Sequence, residues 1–91
     1  MHEKANYILT TAEELMEHHQ TMTVTELAER LNSAGYSTND GAPYSGGRGT
    51  YRLVAAAYWR VMEVLGDQTA GLIAMAFVKP DGSYAWGEPG Q

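Results

Sequence analysis

The sequence predicts a single α+β domain in which three helices are followed by a C-terminal β-hairpin. Three segments carry apolar residues at three- and four-residue steps, which is the period of an amphipathic helix. The last part changes period: an apolar stretch of strand length, "GLIAMAFV", runs into a turn-forming tetrapeptide, "KPDG". With 91 residues, 44 % of them hydrophobic, the chain can form one core but not several. We therefore expect residues 1–91 to form one domain, with a flexible tail at 87–91.

The first helix is predicted over about residues 3–19. Its apolar residues fall on one face, and most of its acidic residues fall on the other. The apolar face consists of Ala5, Ile8, Leu9, Ala12, Leu15, Met16 and His19.

The second helix is predicted over about residues 24–34, because both of its ends carry sequence signals. Thr23 is placed as an N-cap, and Glu26, three residues later, completes the pattern of a capping box. Gly35 is placed to adopt the left-handed conformation that ends many helices.

A long loop is predicted to follow, over residues 36–49. The segment "YSTNDGAPYSGGRG" is rich in turn-forming residues and has no apolar period. Long loops in small domains often carry function, so this one is a candidate for a binding segment.

The third helix is predicted over about residues 50–65 and ends at Gly66. Either Ser45 or Thr50 could cap it, and the sequence leaves that choice open. The wide apolar stripe consists of Leu53, Val54, Ala57, Tyr58, Val61, Met62 and Leu65.

The hairpin is predicted to begin with a strand at 71–78 and to turn at 79–82. A short strand at 20–22 could pair with it. Both faces of the first strand are apolar, so one face would pack on the helices. The tail aromatics Tyr84 and Trp86, or a second subunit, would cover the other face.

Charge and composition exclude several functional classes. The net charge of −5 argues against general affinity for nucleic acids, but residues 30–60 hold four arginines and one aspartate. There are no cysteines, which excludes disulfides and thiolate ligands and fits a reducing cytoplasm. The N-terminus does not resemble a signal peptide, and no apolar run is long enough to cross a membrane.

No catalytic or metal-binding constellation is evident. His18 and His19 are adjacent and diverge on a helix, and no third ligand accompanies them. No nucleophile–base–acid arrangement has supporting context either. We expect neither enzyme activity nor a cofactor.

The glycine-rich stretch "SGGRGTYR" (45–52) raises the possibility of a phosphate-binding turn. It does not fit a nucleotide-binding P-loop, because a helix rather than a strand precedes it and the lysine is missing. Backbone N–H groups at a helix start can instead approach a DNA phosphate, and arginines would add charge-assisted hydrogen bonds. The alternative, a flexible loop with solvated arginines, stays open.

The candidate DNA-binding residues come from this loop, the third helix and the hairpin turn. Trp59 could equally be a partial core residue or a dimer contact, since aromatic side chains are common at interfaces. The set is Ser45, Arg48, Thr50, Tyr51, Arg52, Trp59, Arg60 and Lys79.

The order of elements resembles a winged helix-turn-helix domain over nearly the whole chain. The segment "LAERLNSAGYSTNDGAPYSGGRGTYRLV" is similar to the helix–loop–helix of serine-recombinase-type and phage-type DNA-binding segments. There, an asparagine, spaced glycines and an aromatic–Ser/Thr pair precede the helix that meets DNA. The positions that carry this pattern are Leu31, Asn32, Gly35, Thr38, Gly41, Tyr44 and Ser45. This chain departs from the pattern in its longer loop, its acidic total charge and an alanine-rich third helix.

Two functions follow from these observations. The first is a small DNA-binding protein, a transcription regulator of phage or mobile-element type. It would bind double-stranded DNA either as a homodimer formed through the hairpin or aromatic residues, or within a larger protein complex. The alternative is a protein–protein interaction module on the same fold, an adaptor or inhibitor that does not bind DNA. The arginines distinguish the two functions: DNA binding requires them to share one exposed face, and the interaction module does not.

Overall fold

The computed structural model describes residues 3–45 and 48–79, and within them four helices and two short strands follow one another. The elements are α1 (Glu3–Glu17), β1 (Met22–Thr23), α2 (Val24–Ser33), α3 (Arg48–Leu65), α4 (Asp67–Ala76) and β2 (Phe77–Val78). The protein is thus mostly helical with a small sheet, which confirms the α+β class at that level.

Helix α1 ends two residues earlier than predicted. His19 adopts a left-handed conformation with φ of 54°, and the Gln20 N–H donates to the Leu15 carbonyl at 2.8 Å. This is the hydrogen-bond pattern of a Schellman ending, here without glycine. His19 is exposed, so its predicted place on the apolar face is wrong.

Helix α2 has the ends that the sequence predicts. The Glu26 N–H donates to Thr23 Oγ1 at 3.1 Å, which caps the N-terminus. At the other end Gly35 has φ of 90°, and the Tyr36 N–H donates to the Leu31 carbonyl at 3.0 Å. Local signals alone fix this helix because both caps are made by neighbouring residues.

Helix α3 begins at Arg48, two residues before the predicted start, and packs against α1 and α4. Gly66 ends it as predicted. Gly66 has φ of 95° and ψ of 172°, a region open essentially to glycine alone, and α4 begins at the next residue.

The predicted strand at 71–78 is wrong over most of its length, because residues 67–76 form α4. The buried positions Ala70, Ile73 and Ala74 follow a helical step. A short, continuous apolar run fits a buried helix as well as a strand, and its alanine content favours the helix. Residues 80–91, with the predicted turn, second strand and tail aromatics, lie outside the described residues.

The two short strands pair in parallel, with Met22 opposite Phe77 and Thr23 opposite Val78. The strand predicted at 20–22 lies at residues 22–23 instead, and its partner is the two-residue β2 rather than a strand over 71–78. The pairing joins the end of α4 to the start of α2. Phe77 has no exposed surface and is the largest fully buried side chain among the described residues.

Candidate nucleic-acid interface

The loop between α2 and α3 is held by its own hydrogen bonds as far as residue 42. The Gly41 N–H donates to the Thr38 carbonyl at 2.9 Å, and the Ala42 N–H donates to Thr38 Oγ1 at 3.1 Å. Gly41 has φ of 82°, which this turn requires and which other residues rarely adopt.

Asn32 fastens the second half of the loop to α2. Its Nδ2 donates to the Tyr44 carbonyl at 2.8 Å, and its Oδ1 accepts from the Tyr44 N–H at 2.7 Å. Tyr44 is buried, with 8 % of its surface exposed. One amide side chain therefore satisfies both polar backbone groups of a buried residue, and this fixes where the chain leaves for α3.

The positions of the resembling motif therefore have structural roles in this loop. Gly35 ends α2, Thr38 and Gly41 form the turn, and Asn32 holds Tyr44. The motif residues thus make the hydrogen bonds that hold the loop as far as Tyr44.

Thr50 does not fit its predicted role as a DNA contact. It has no exposed surface, and its hydroxyl donates to the Ser45 carbonyl. Because this places Thr50 inside the first turn of α3, the residue stabilises the start of the helix and is not accessible to DNA. Ser45 itself is exposed. Arg48 is the first residue of α3, and its side chain is not among the described parts of the structure.

The exposed face of α3 brings together three of the predicted contacts. Arg52, Trp59 and Arg60 are all exposed, and Trp59 exposes 62 % of its surface. That value excludes Trp59 as a core residue. Its ring lies edge-on to Tyr58, with centroids 5.2 Å apart. Tyr51 is half-buried.

A groove of about 770 Å³ runs beside this face, between α3, the start of α1 and the loop. Arg52 and Arg60 line it, and so does Lys4 of α1, which the sequence analysis missed. The only acidic residue among the described lining residues is Asp40. Three cations against one anion make the groove basic in a chain whose net charge is −5.

Lys4 is positioned by the loop. Its Nζ donates to the Ser37 carbonyl at 2.6 Å and lies 5.4 Å from the centroid of the Tyr44 ring. Lys4 and Ser37 are separated by 33 residues, so no local pattern could have placed them together. The loop that Asn32 fastens thus also helps to place the third cation of the groove.

Arg52 and Arg60 have no carboxylate partner among residues 3–45 and 48–79. Glu63 lies three residues after Arg60 but makes no ion pair with it. The guanidinium donors of both arginines are therefore available to an external anion.

Lys79 is exposed at the end of β2 and does not line the groove. In the described part of the chain, no cluster of three or more His, Asp or Glu residues is arranged to hold a metal ion. Nor is any helix in residues 3–45 and 48–79 both long and apolar enough to cross a membrane.

Neither a protein-family model, nor a curated protein, nor a solved structure matches this chain.

Proposed function

We propose that the protein binds double-stranded DNA through the exposed face of α3 and the loop that precedes it. The observation that supports this most is the common exposed location of Arg52 and Arg60 without acidic partners among the described residues. Guanidinium groups form strong, paired hydrogen bonds with phosphate, and phosphate contacts supply much of the affinity for DNA.

The helix start adds to this surface. Gly49 lines the groove within the first turn of α3, and a Cβ added there would meet nothing within 4 Å. The backbone is therefore open on that side, and N–H groups at a helix start favour anions. Trp59 contributes a large exposed ring next to the arginines, which suits contact with sugars or bases.

The proposed biological role is a transcription regulator of phage or mobile-element type with a helix-turn-helix arrangement of α2 and α3. A wing in this arrangement is limited to residues from 77 onward, because residues 67–76 are helical. Few cations contact the DNA, so we propose that two copies bind together.

A protein-interaction module is the second candidate, and a separate observation favours it. Val64, Leu65 and Met75 expose 57, 51 and 43 % of their surface. Large apolar side chains with that exposure, together with Trp59, are typical of residues that meet a partner.

An NMR titration with a short DNA duplex at two salt concentrations tests the proposal. We expect amide shifts from residue 48 to residue 60 that weaken as salt rises, since the contacts are ionic. The variant Arg52→Gln/Arg60→Gln should lose most of them. Arg30→Gln removes the same kind of charge from an exposed site outside the groove and should leave them unchanged.

The absence of any shift at low salt would reject DNA binding. Shifts that survive the double arginine variant would reject this particular surface. In either case the second candidate is tested by Leu65→Ser, which should weaken capture of a protein partner but leave DNA binding intact.

A further inference from the structure

Cations from two parts of the chain line the same groove. Arg52 and Arg60 come from α3, whereas Lys4 comes from α1, across the loop. A basic groove lined by several elements differs from an exposed helix face, because cations from these elements together focus positive potential in one cleft.

The spacing of the two arginines favours an extended polyanion over a single phosphate. They are eight residues apart on one helix, so their Cα atoms are separated by about 12 Å along its axis. That distance exceeds the size of one phosphate group. The two arginines can therefore contact different phosphates of a strand that follows the groove.

The apolar part of the lining fits the same occupant. Ala5, Leu53 and Ala56 lie among the cations, and Ala56 stands between the two arginines on α3. The small side chains leave room, and they offer apolar contact to the sugar carbons between successive phosphates.

We propose that one strand of the DNA backbone lies in this groove, with Lys4, Arg52 and Arg60 each contacting a phosphate. This inference rests on the proposed DNA binding and deepens it. It adds Lys4 as a third contact, and it directs the phosphates into the groove between α1 and α3 rather than onto the outer surface of α3.

The test measures the affinity of a fluorescently labelled duplex by anisotropy over a range of salt concentrations. Each neutralised phosphate contributes about 0.9 to the slope of log affinity against log salt. We therefore expect Lys4→Gln to reduce that slope by about 0.9, as Arg60→Gln does. Lys4→Arg should restore it, and Arg30→Gln should not change it.

The outcomes separate the two proposals. If the wild-type chain does not bind the duplex, the proposed function fails and the groove assignment fails with it. If the wild type binds and Lys4→Gln has the wild-type slope, only the groove assignment is overturned.

A competition experiment separates a DNA strand from a free phosphate compound as the occupant. A mononucleotide should not displace the duplex at equimolar concentration, because it cannot reach both arginines at once. Displacement at that concentration would show a small-molecule site and would overturn the assignment to a strand.

Discussion

Replacing Asn32 by alanine removes both hydrogen bonds that hold Tyr44. Each such bond contributes about 1 kcal/mol net, and more is lost where the groups left behind are shielded from water. Tyr44 is only 8 % exposed, so we expect a loss of about 2–3 kcal/mol. Alanine is a better helix former than asparagine, which offsets roughly 0.5 kcal/mol of this.

The expected net destabilisation is therefore about 2 kcal/mol. In a domain of this size, 1 kcal/mol corresponds to a change of about 4–8 °C in melting temperature. Urea unfolding followed by circular dichroism should show the loss in the unfolding free energy. Hydrogen exchange should also show faster exchange of the Tyr44 amide, because its acceptor is gone.

Asn6→Ala is the matched control, since Asn6 is exposed on α1 and its side chain makes no hydrogen bond among the described residues. It carries the same gain in helix propensity without the loss of the bonds. If the two variants unfold within about 0.5 kcal/mol of each other, Asn32 does not hold the loop.

Two further predictions follow from the backbone and from one tyrosine. Gly66→Ala should destabilise the protein by about 1–3 kcal/mol, because φ of 95° and ψ of 172° suit only glycine. Gly71→Ala, inside α4, should instead stabilise it by about 0.5–1 kcal/mol, because alanine is the better helix former. If thermal unfolding shows that both substitutions change stability equally, the α4 assignment is contradicted. Partial burial and the Glu3 carboxylate, 3.4 Å from the hydroxyl, raise the pKa of Tyr36 above 10.0. Its contribution to stability is thus complete below pH 10.0 and is lost as pH rises through the raised pKa. An NMR titration should show Glu3→Gln lowering that pKa, and no change would contradict the contact.

The sequence predicts an element well where its signals are local. Helix α2 has its cap at Thr23 and its end at Gly35, and each hydrogen bond there joins residues at most five positions apart. Helix α4 has no such caps. Its alanine content favours a helix, but its apolar run fits a helix or a strand, so packing against α1 and α3 decides between them.

The candidate site, too, was predictable only where the signals in the sequence are local. Arg52, Trp59 and Arg60 lie on the exposed arc of a periodic helix, so the helical period alone indicates their common face. Thr50 was assigned wrongly because burial depends on neighbours distant in sequence. Lys4 was missed because its place in the groove depends on the packing of α1 beside a loop more than thirty residues away.

The number of groove cations limits how strongly one copy can bind DNA. Three neutralised phosphates give a salt slope of about −2.7, so affinity falls about 40-fold between 50 and 200 mM salt. Two copies on one duplex double the slope to about −5.4. The net charge of −5 opposes binding outside the groove, because the remaining surface repels DNA wherever it comes within about 10 Å at 0.1 M salt. A measured slope near −5 would therefore require contacts beyond the three cations of one groove, and a second copy on the DNA would supply them.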